Sequence, residues 1–174
     1  MPGRKDPITP LGAVVGGIAA GAAGIVSMDA VRYLRQRREG TEQSPLSWEF
    51  APVRSWEDAP DPGKVAKRVL EGFLQREIPD RWAWLISTVM HWGYGSAWGS
   101  AYGILVGSLR KAGPLYGLPF GALVWISGYL VLPEAGLYKP IAEYDAKTLG
   151  RDLSAHLAFG AGTGAAFWLL TELR

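Results

Sequence analysis

The stretch His91-Trp-Gly-Tyr-Gly-Ser-Ala-Trp-Gly-Ser-Ala-Tyr102, inside an apolar run that reaches from Trp82 to Leu109, decides how this chain is read. Gly95, Gly99, Gly103 and Gly107 recur every fourth residue, and His91 stands one step ahead of them in the same register. Residues four apart stack along one side of an α-helix, and glycine there lets another backbone come close. Membrane helices associate in this way, because lipid supplies no hydrophobic force between them. The spacing therefore predicts a membrane helix with a bare packing face and His91 at a helix contact.

Later in the chain the pattern returns as His156-Leu-Ala-Phe-Gly-Ala-Gly-Thr-Gly-Ala-Ala-Phe167. His91 aligns with His156, Gly95 with Gly160 and Gly99 with Gly164, and the aromatic positions pair as Tyr94 with Phe159 and Tyr102 with Phe167. Coincidence at so many equal offsets predicts an internal duplication. Aligning Pro10-Leu11 with Pro114-Leu115 also brings Gly17 onto Gly121 and Gly24 onto Gly128, so the repeat extends to helix pairs.

Four segments, about 8–28, 82–109, 114–132 and 153–170, are long enough to cross a hydrocarbon core of about 30 Å as helices. The first carries its own small-residue stripe, Gly12, Gly16, Ala20 and Gly24. A signal peptide competes for this segment, since Arg4 and Lys5 precede it and Ala20-Gly21-Ala22 resembles a cleavage site, but the apolar run continues past that point. The connection around 110–113 is short enough to force an antiparallel hairpin between the second and third spans. The expected fold is an all-α membrane protein of four transmembrane helices in two pseudo-repeated pairs, with an amphipathic helix in the first loop.

Of 18 Lys and Arg, only Arg4, Lys5, Arg110, Lys111 and Arg174 lie on the side of the termini. Positive charge favours the cytoplasmic side, which predicts both termini outside the cytoplasm. In the loop 35–81, Asp61-Pro62 opens a helix of about 62–76 with Val65, Val69, Leu70, Phe73 and Leu74 at helical spacing. Its cations, Lys64, Lys67 and Arg68, fall mainly off that stripe, which suits the lipid headgroups. Trp48, Phe50 and Trp56, set among prolines and charges, read as an interfacial anchor, and Trp82, Trp84, Trp92 and Trp98 as lipid-facing.

Composition removes several function classes. A net charge of +2 gives no argument for a nucleic-acid partner, and the absence of cysteine excludes disulfides and thiolate metal sites. The 23 glycines lie mostly within apolar segments, as in close-packed membrane helices. There is no nucleotide fingerprint, nucleophile elbow or His-Glu-x2-His helix, so hydrolase readings have no support.

The chemistry-bearing candidates are the two histidines and the acids nearest to them in the repeat. The first and third spans end near Asp29 and Glu134, and the second and fourth begin near His91 and His156, so these four are expected to converge in the inner leaflet. Ionisable groups at membrane depth are costly and usually face the bundle interior. Imidazole, with an ordinary pKa of about 6.5, suits a proton-linked role. The same residues offer a divalent metal two nitrogen and two oxygen ligands, and the two histidines, on parallel helices, offer haem its axial ligands. A plain structural role, with each histidine as an interhelical hydrogen-bond donor, accounts for them equally. Ser87, Thr88, Ser96, Ser100 and Thr163 are candidates to line a path, and Tyr138, Tyr144, Asp145 and Asp152 to shape a vestibule or cap the last helix.

At its His-x2-aromatic-Gly motifs, within Trp82 to Gly107 and Asp152 to Phe167, the chain resembles small four-helix bacterial inner-membrane proteins and, more distantly, the YagU-type family. That resemblance implies the bacterial cytoplasmic membrane and a link to acid tolerance. The long first loop departs from it. Three functions stay open: proton-linked transport or pH homeostasis, an accessory subunit or homo-oligomer docking through Gly95, Gly99, Gly103, Gly107, Gly160 and Gly164, and a His-ligated metal or haem protein.

Overall fold

A computed structural model describes residues 8–109, 113–134 and 136–172. The described residues are helical or irregular, with no strand. Six α-helices follow one another: α1 (Pro10–Arg38), α2 (Pro45–Glu49), α3 (Asp61–Leu74), α4 (Ala83–Leu109), α5 (Gly117–Val131) and α6 (Ala146–Glu172). The termini and residues 110–112, which carry the sparse positive charges of the orientation argument, lie outside the described residues.

By length and composition, three helical segments can cross a membrane: Pro10–Arg38, Pro114–Val131 and Ala146–Glu172. With 27 residues α4 is long enough as well, and glycines, serines, tyrosines, tryptophans and His91 interrupt its apolar residues.

Two helices run beyond the expected spans. The first span was expected to end near residue 28, yet α1 runs to Arg38, because nothing between Asp29 and Arg38 breaks a helix. It stops at Glu39, beyond which Gly40 takes the left-handed φ of 104° that commonly ends helices. At its start, Thr9 Oγ1 accepts from Gly12 N at 3.1 Å and Pro10 opens the first turn. The last helix starts at Ala146, not near 153, since Asp145 caps it by accepting from Thr148 N at 2.9 Å. At 1.5 Å per residue α1 is about 43 Å long, longer than a hydrocarbon core, so its arginine-bearing end stands clear of one.

Packing makes α1 the middle of the bundle. One face, Ala13, Gly17 and Gly21, lies against Gly103, Gly99 and Gly95 of α4, backbone on backbone. The neighbouring face turns Gly16 to Phe167 and Gly24 to Phe159 and Thr163 of α6. A second close crossing joins α5 to α6, with Gly117 against Gly160 and Gly164, and Gly121 against Gly160 and the His156 carbonyl. Chain directions alternate in each of these contacts. The remaining gap, between α4 and α5, is filled by side chains: Phe120 lies 4.9 Å from Tyr102 and 6.0 Å from Trp98, ring centroid to centroid. Tyr102, Phe167 and Ile25 are the largest fully buried apolar side chains.

The two helix pairs share small-residue crossings without sharing one register. Under the alignment of Gly95 with Gly160, the α5–α6 crossing lies a turn nearer its histidine than the α1–α4 crossing does. Phe159 is buried where Tyr94 is exposed, and Gly24 is enclosed where Gly128 meets nothing within 4 Å.

The first loop folds back on the start of α4. Trp56, expected as an interfacial anchor, is buried with Ala59 and Ala83, donates its indole N–H to Ile78 O at 2.7 Å and takes a backbone bond to Asp80. Gly63 of α3 lets that helix sit on Ser87 of α4. The apolar stripe of α3 faces away, with Val69, Phe73 and Leu74 exposed. Trp82 and Trp84 are exposed as expected, whereas Trp92 and Trp98 pack against the core.

Candidate functional site

Three elements, α1, α2 and α4, meet at the end of the bundle where α1 emerges. Ser44 caps α2 by accepting from Ser47 N at 3.2 Å, and Pro45 opens its first turn. The short helix is pinned on α1 by side chains. Trp48 donates its indole N–H to Gln36 Oε1 at 2.6 Å and packs on Tyr33, ring centroids 5.7 Å apart. Tyr33 in turn donates its hydroxyl to Gln43 O at 2.9 Å. These contacts deliver Glu49, the last residue of α2, to the junction of α1 and α4.

There Asp29 of α1, only 6% exposed, accepts from His91 Nε2 at 2.7 Å through Oδ2. Its other oxygen, Oδ1, faces Arg32 at 3.8 Å. Glu49 Oε1 lies 4.0 Å from His91 Nε2. Burial pushes the Glu49 carboxyl above its ordinary 4.5, the Asp29 charge adds to that, and His91 opposes it. One ligand atom from each of Asp29, Glu49 and His91 lies within 4.8 Å of the others. Two carboxylates and an imidazole at this range can share a proton or supply three donors to a divalent cation.

The four residues expected to converge do not all do so. Asp29 and His91 meet. His156 instead turns back on its own helix, its Nδ1 2.9 Å from the Asp152 carbonyl oxygen and 3.4 Å from the Asp152 carboxylate. Glu134 is exposed in the turn after α5, with no bond to either histidine among the described residues. The turn beyond α5 aims it outward, so matching its position to Asp29 does not bring it to a histidine. Both histidines sit well inside their helices, the ninth residue of α4 and the eleventh of α6, because α6 begins earlier than expected. They do not share a hydrogen-bond partner. Glu49 was missed because a five-residue helix has no periodicity to read; its one signal was Ser44-Pro45, a cap and first-turn proline.

The packing glycines are all engaged within the chain. Gly95 meets Ile25, Gly99 meets Gly17 and Gly21, Gly103 meets Ala13 and Gly17, and Gly107 meets Ile8 and Ala13. Gly160 meets Gly117 and Gly121, and Gly164 meets Pro114 and Gly117. Thr163 is fully buried and donates to Phe159 O at 2.8 Å, and Ser87 is buried under Gly63, so these two are packing residues.

Two cavities flank α1. The polar one, about 400 Å³, is bounded by Arg32, Arg35, Tyr138, Arg151 and Asp152 together with Asp61 of α3. Tyr129, Tyr138 and Tyr144 pack on one another beside it, at 5.2, 5.4 and 6.1 Å between ring centroids. Burial, with Asp61 and Asp152 nearby, pushes the Tyr138 hydroxyl far above its ordinary range. Of the residues expected to form a vestibule, Tyr138, Tyr144 and Asp152 do line this cavity, while Asp145 caps α6. The apolar one, about 550 Å³, lies between α1, α2 and α4 and ends on Asp29 and Glu49.

Compared with known proteins, the chain matches no family model, no curated protein and no solved structure.

Proposed function

We propose that this chain is a small bacterial inner-membrane protein of four spans, built as two related helix pairs, that acts in proton-linked transport or pH homeostasis. Asp29, His91 and Glu49 are its proton-holding set. The observation that supports this most is the buried Asp29 carboxylate bonded to His91 at 2.7 Å with a second carboxyl at 4.0 Å. Two ionised carboxylates so close repel one another, and a proton held among the three groups relieves that repulsion. Glu49 arrives on a short loop helix, which gives the proton a donor or acceptor outside the spans. His156, with its own carboxylate, is assigned a separate and secondary part.

The arginines Arg32, Arg35, Arg37, Arg38 and Arg151 gather at this end of the bundle, which favours the cytoplasm on this side and the termini on the other. The exposed stripe of α3 supports a position at the headgroups of the same leaflet. A divalent cation is the second reading, favoured by the three donors within 4.8 Å. Because the two histidines have separate partners, haem ligation by the pair is not carried forward. An accessory or oligomeric role would use lipid-facing surfaces, since the glycine faces are covered within the chain.

Purified protein in sealed vesicles with a trapped pH dye tests the proposal. Wild type is expected to change proton flux and His91→Ala to abolish the change. Equal flux from wild type and His91→Ala rejects it. Stoichiometric metal in the purified protein, lost in His91→Ala, favours the second reading.

A further inference from the structure

The apolar cavity beside the acid–imidazole set has a composition that selects its guest. Leu34, Leu46, Phe50 and Trp92 form its walls, and Asp29 and Glu49 its polar end. At about 550 Å³ it falls within the range of sites for drug-sized molecules. Its mouth is apolar too: Leu34 is 57% and Leu46 72% exposed, so an apolar guest can enter there.

At the polar end two carboxyl groups share one imidazole. On α1, Asp29 already has both oxygens occupied, Oδ2 by His91 of α4 and Oδ1 by Arg32. Tyr33, also on α1, commits its hydroxyl to Gln43 O. Glu49 of α2 is hydrogen-bonded to Asp29 and to Trp92 of α4 and shares His91, at 4.0 Å, with Asp29 as its near cation. A carboxylate in an apolar enclosure without a cation of its own is unfavourable, and a cation carrying its own apolar body offsets that cost. Aromatic faces of Phe50 and Trp92 add attraction for a diffuse positive charge. A neutral lipid chain would bring no charge to set against the two adjacent carboxyl groups, and an anion would be repelled.

We propose that this cavity binds a lipophilic organic cation, an onium or amine with an apolar body, with Glu49 as its counter-ion. This deepens the preceding reading and rests on it in one respect: the cation and the proton compete for Glu49, so binding one releases the other. No covalent step is involved.

Calorimetric titration of the full chain in detergent with tetraphenylphosphonium tests it, with triphenylphosphine oxide as the neutral probe. Saturable phosphonium binding is expected, weakened roughly tenfold or more in Glu49→Gln and for the neutral probe. Leu46→Ala, at an exposed wall position that leaves the fold intact, is expected to weaken binding roughly threefold, and His156→Ala to leave it unchanged. Absence of saturable binding, or equal binding of both probes, or an undiminished Glu49→Gln, overturns the proposal. Proton release is followed in the same titration in weak buffer. Binding with release supports both readings, whereas binding without release keeps the cation site and overturns the proton-linked function.

Discussion

Replacing Gly99 by alanine puts the α1–α4 crossing to a sharp test. A Cβ at Gly99 would lie 2.5 Å from the Gly21 nitrogen and equally hard against the Gly17 carbonyl, where ordinary contact begins at 3.4 Å. The obstacle is backbone on both sides, so no rotamer change relieves it and the helices must separate. Overpacking of this kind costs about 1–3 kcal/mol. Glycine to alanine in a helix also gains about 0.5–1 kcal/mol from reduced chain entropy, which would blur the result taken alone. Gly93 of the same helix supplies the reference, because a Cβ there meets nothing within 4 Å. Subtracting Gly93→Ala from Gly99→Ala leaves the crossing alone, so Gly99→Ala is expected to be less stable than Gly93→Ala by about 1–3 kcal/mol. Unfolding in mixed micelles, followed by tryptophan fluorescence, measures both. Equal stability of the two variants would refute the close crossing. Leucine at Gly99 or Gly103 should cost more still and disrupt the bundle.

Docking of α2 should weaken as pH rises from the ordinary carboxylate value of 4.5 through the raised pKa of Glu49, because the folded site favours its protonated form. Hydrogen exchange across 44–50 measures this, and Glu49→Gln should remove the dependence; a Glu49→Gln profile identical to wild type contradicts it. Trp56→Ala should destabilise the 51–82 cap by about 3–5 kcal/mol, seen as faster exchange there with α5 and α6 unaffected. Phe73→Asp, at a residue 84% exposed, should change stability in micelles by less than about 0.5 kcal/mol yet reduce quenching of a label on α3 by nitroxide lipids.

Much of this architecture is legible in the chain because local rules carry it. Glycine every fourth residue marks the α4 face, and Asp61-Pro62 marks α3 to within two residues. Partners are less legible. The sequence reading marks one stripe on α1, the one headed by Gly12, which turns to α6, and does not mark the neighbouring stripe of Ala13, Gly17 and Gly21, which meets α4. At the site, the repeat pairs Asp29 with Glu134 by position, but an acid in a turn points where the turn sends it. Asp152, one turn from His156 on the same helix, was the nearer partner by i, i+4 spacing. Glu49 reaches His91 across a long loop, a contact held by Tyr33, Gln36 and Trp48 that no local period encodes. Trp56 was misread because prolines and charges around a tryptophan mark a headgroup anchor and a small loop core alike.

The central claim is that the Asp29–His91–Glu49 set holds an exchangeable proton. Infrared difference spectra of the protein across the pH window that opens above the ordinary carboxylate value of 4.5, where burial holds the Glu49 proton, report it directly, since a protonated carboxyl absorbs where a carboxylate does not. The account predicts a carboxylic-acid band that is lost as pH rises through this window, absent in Glu49→Gln and altered in His91→Ala. A spectrum without such a band, or one unchanged in both variants, contradicts it.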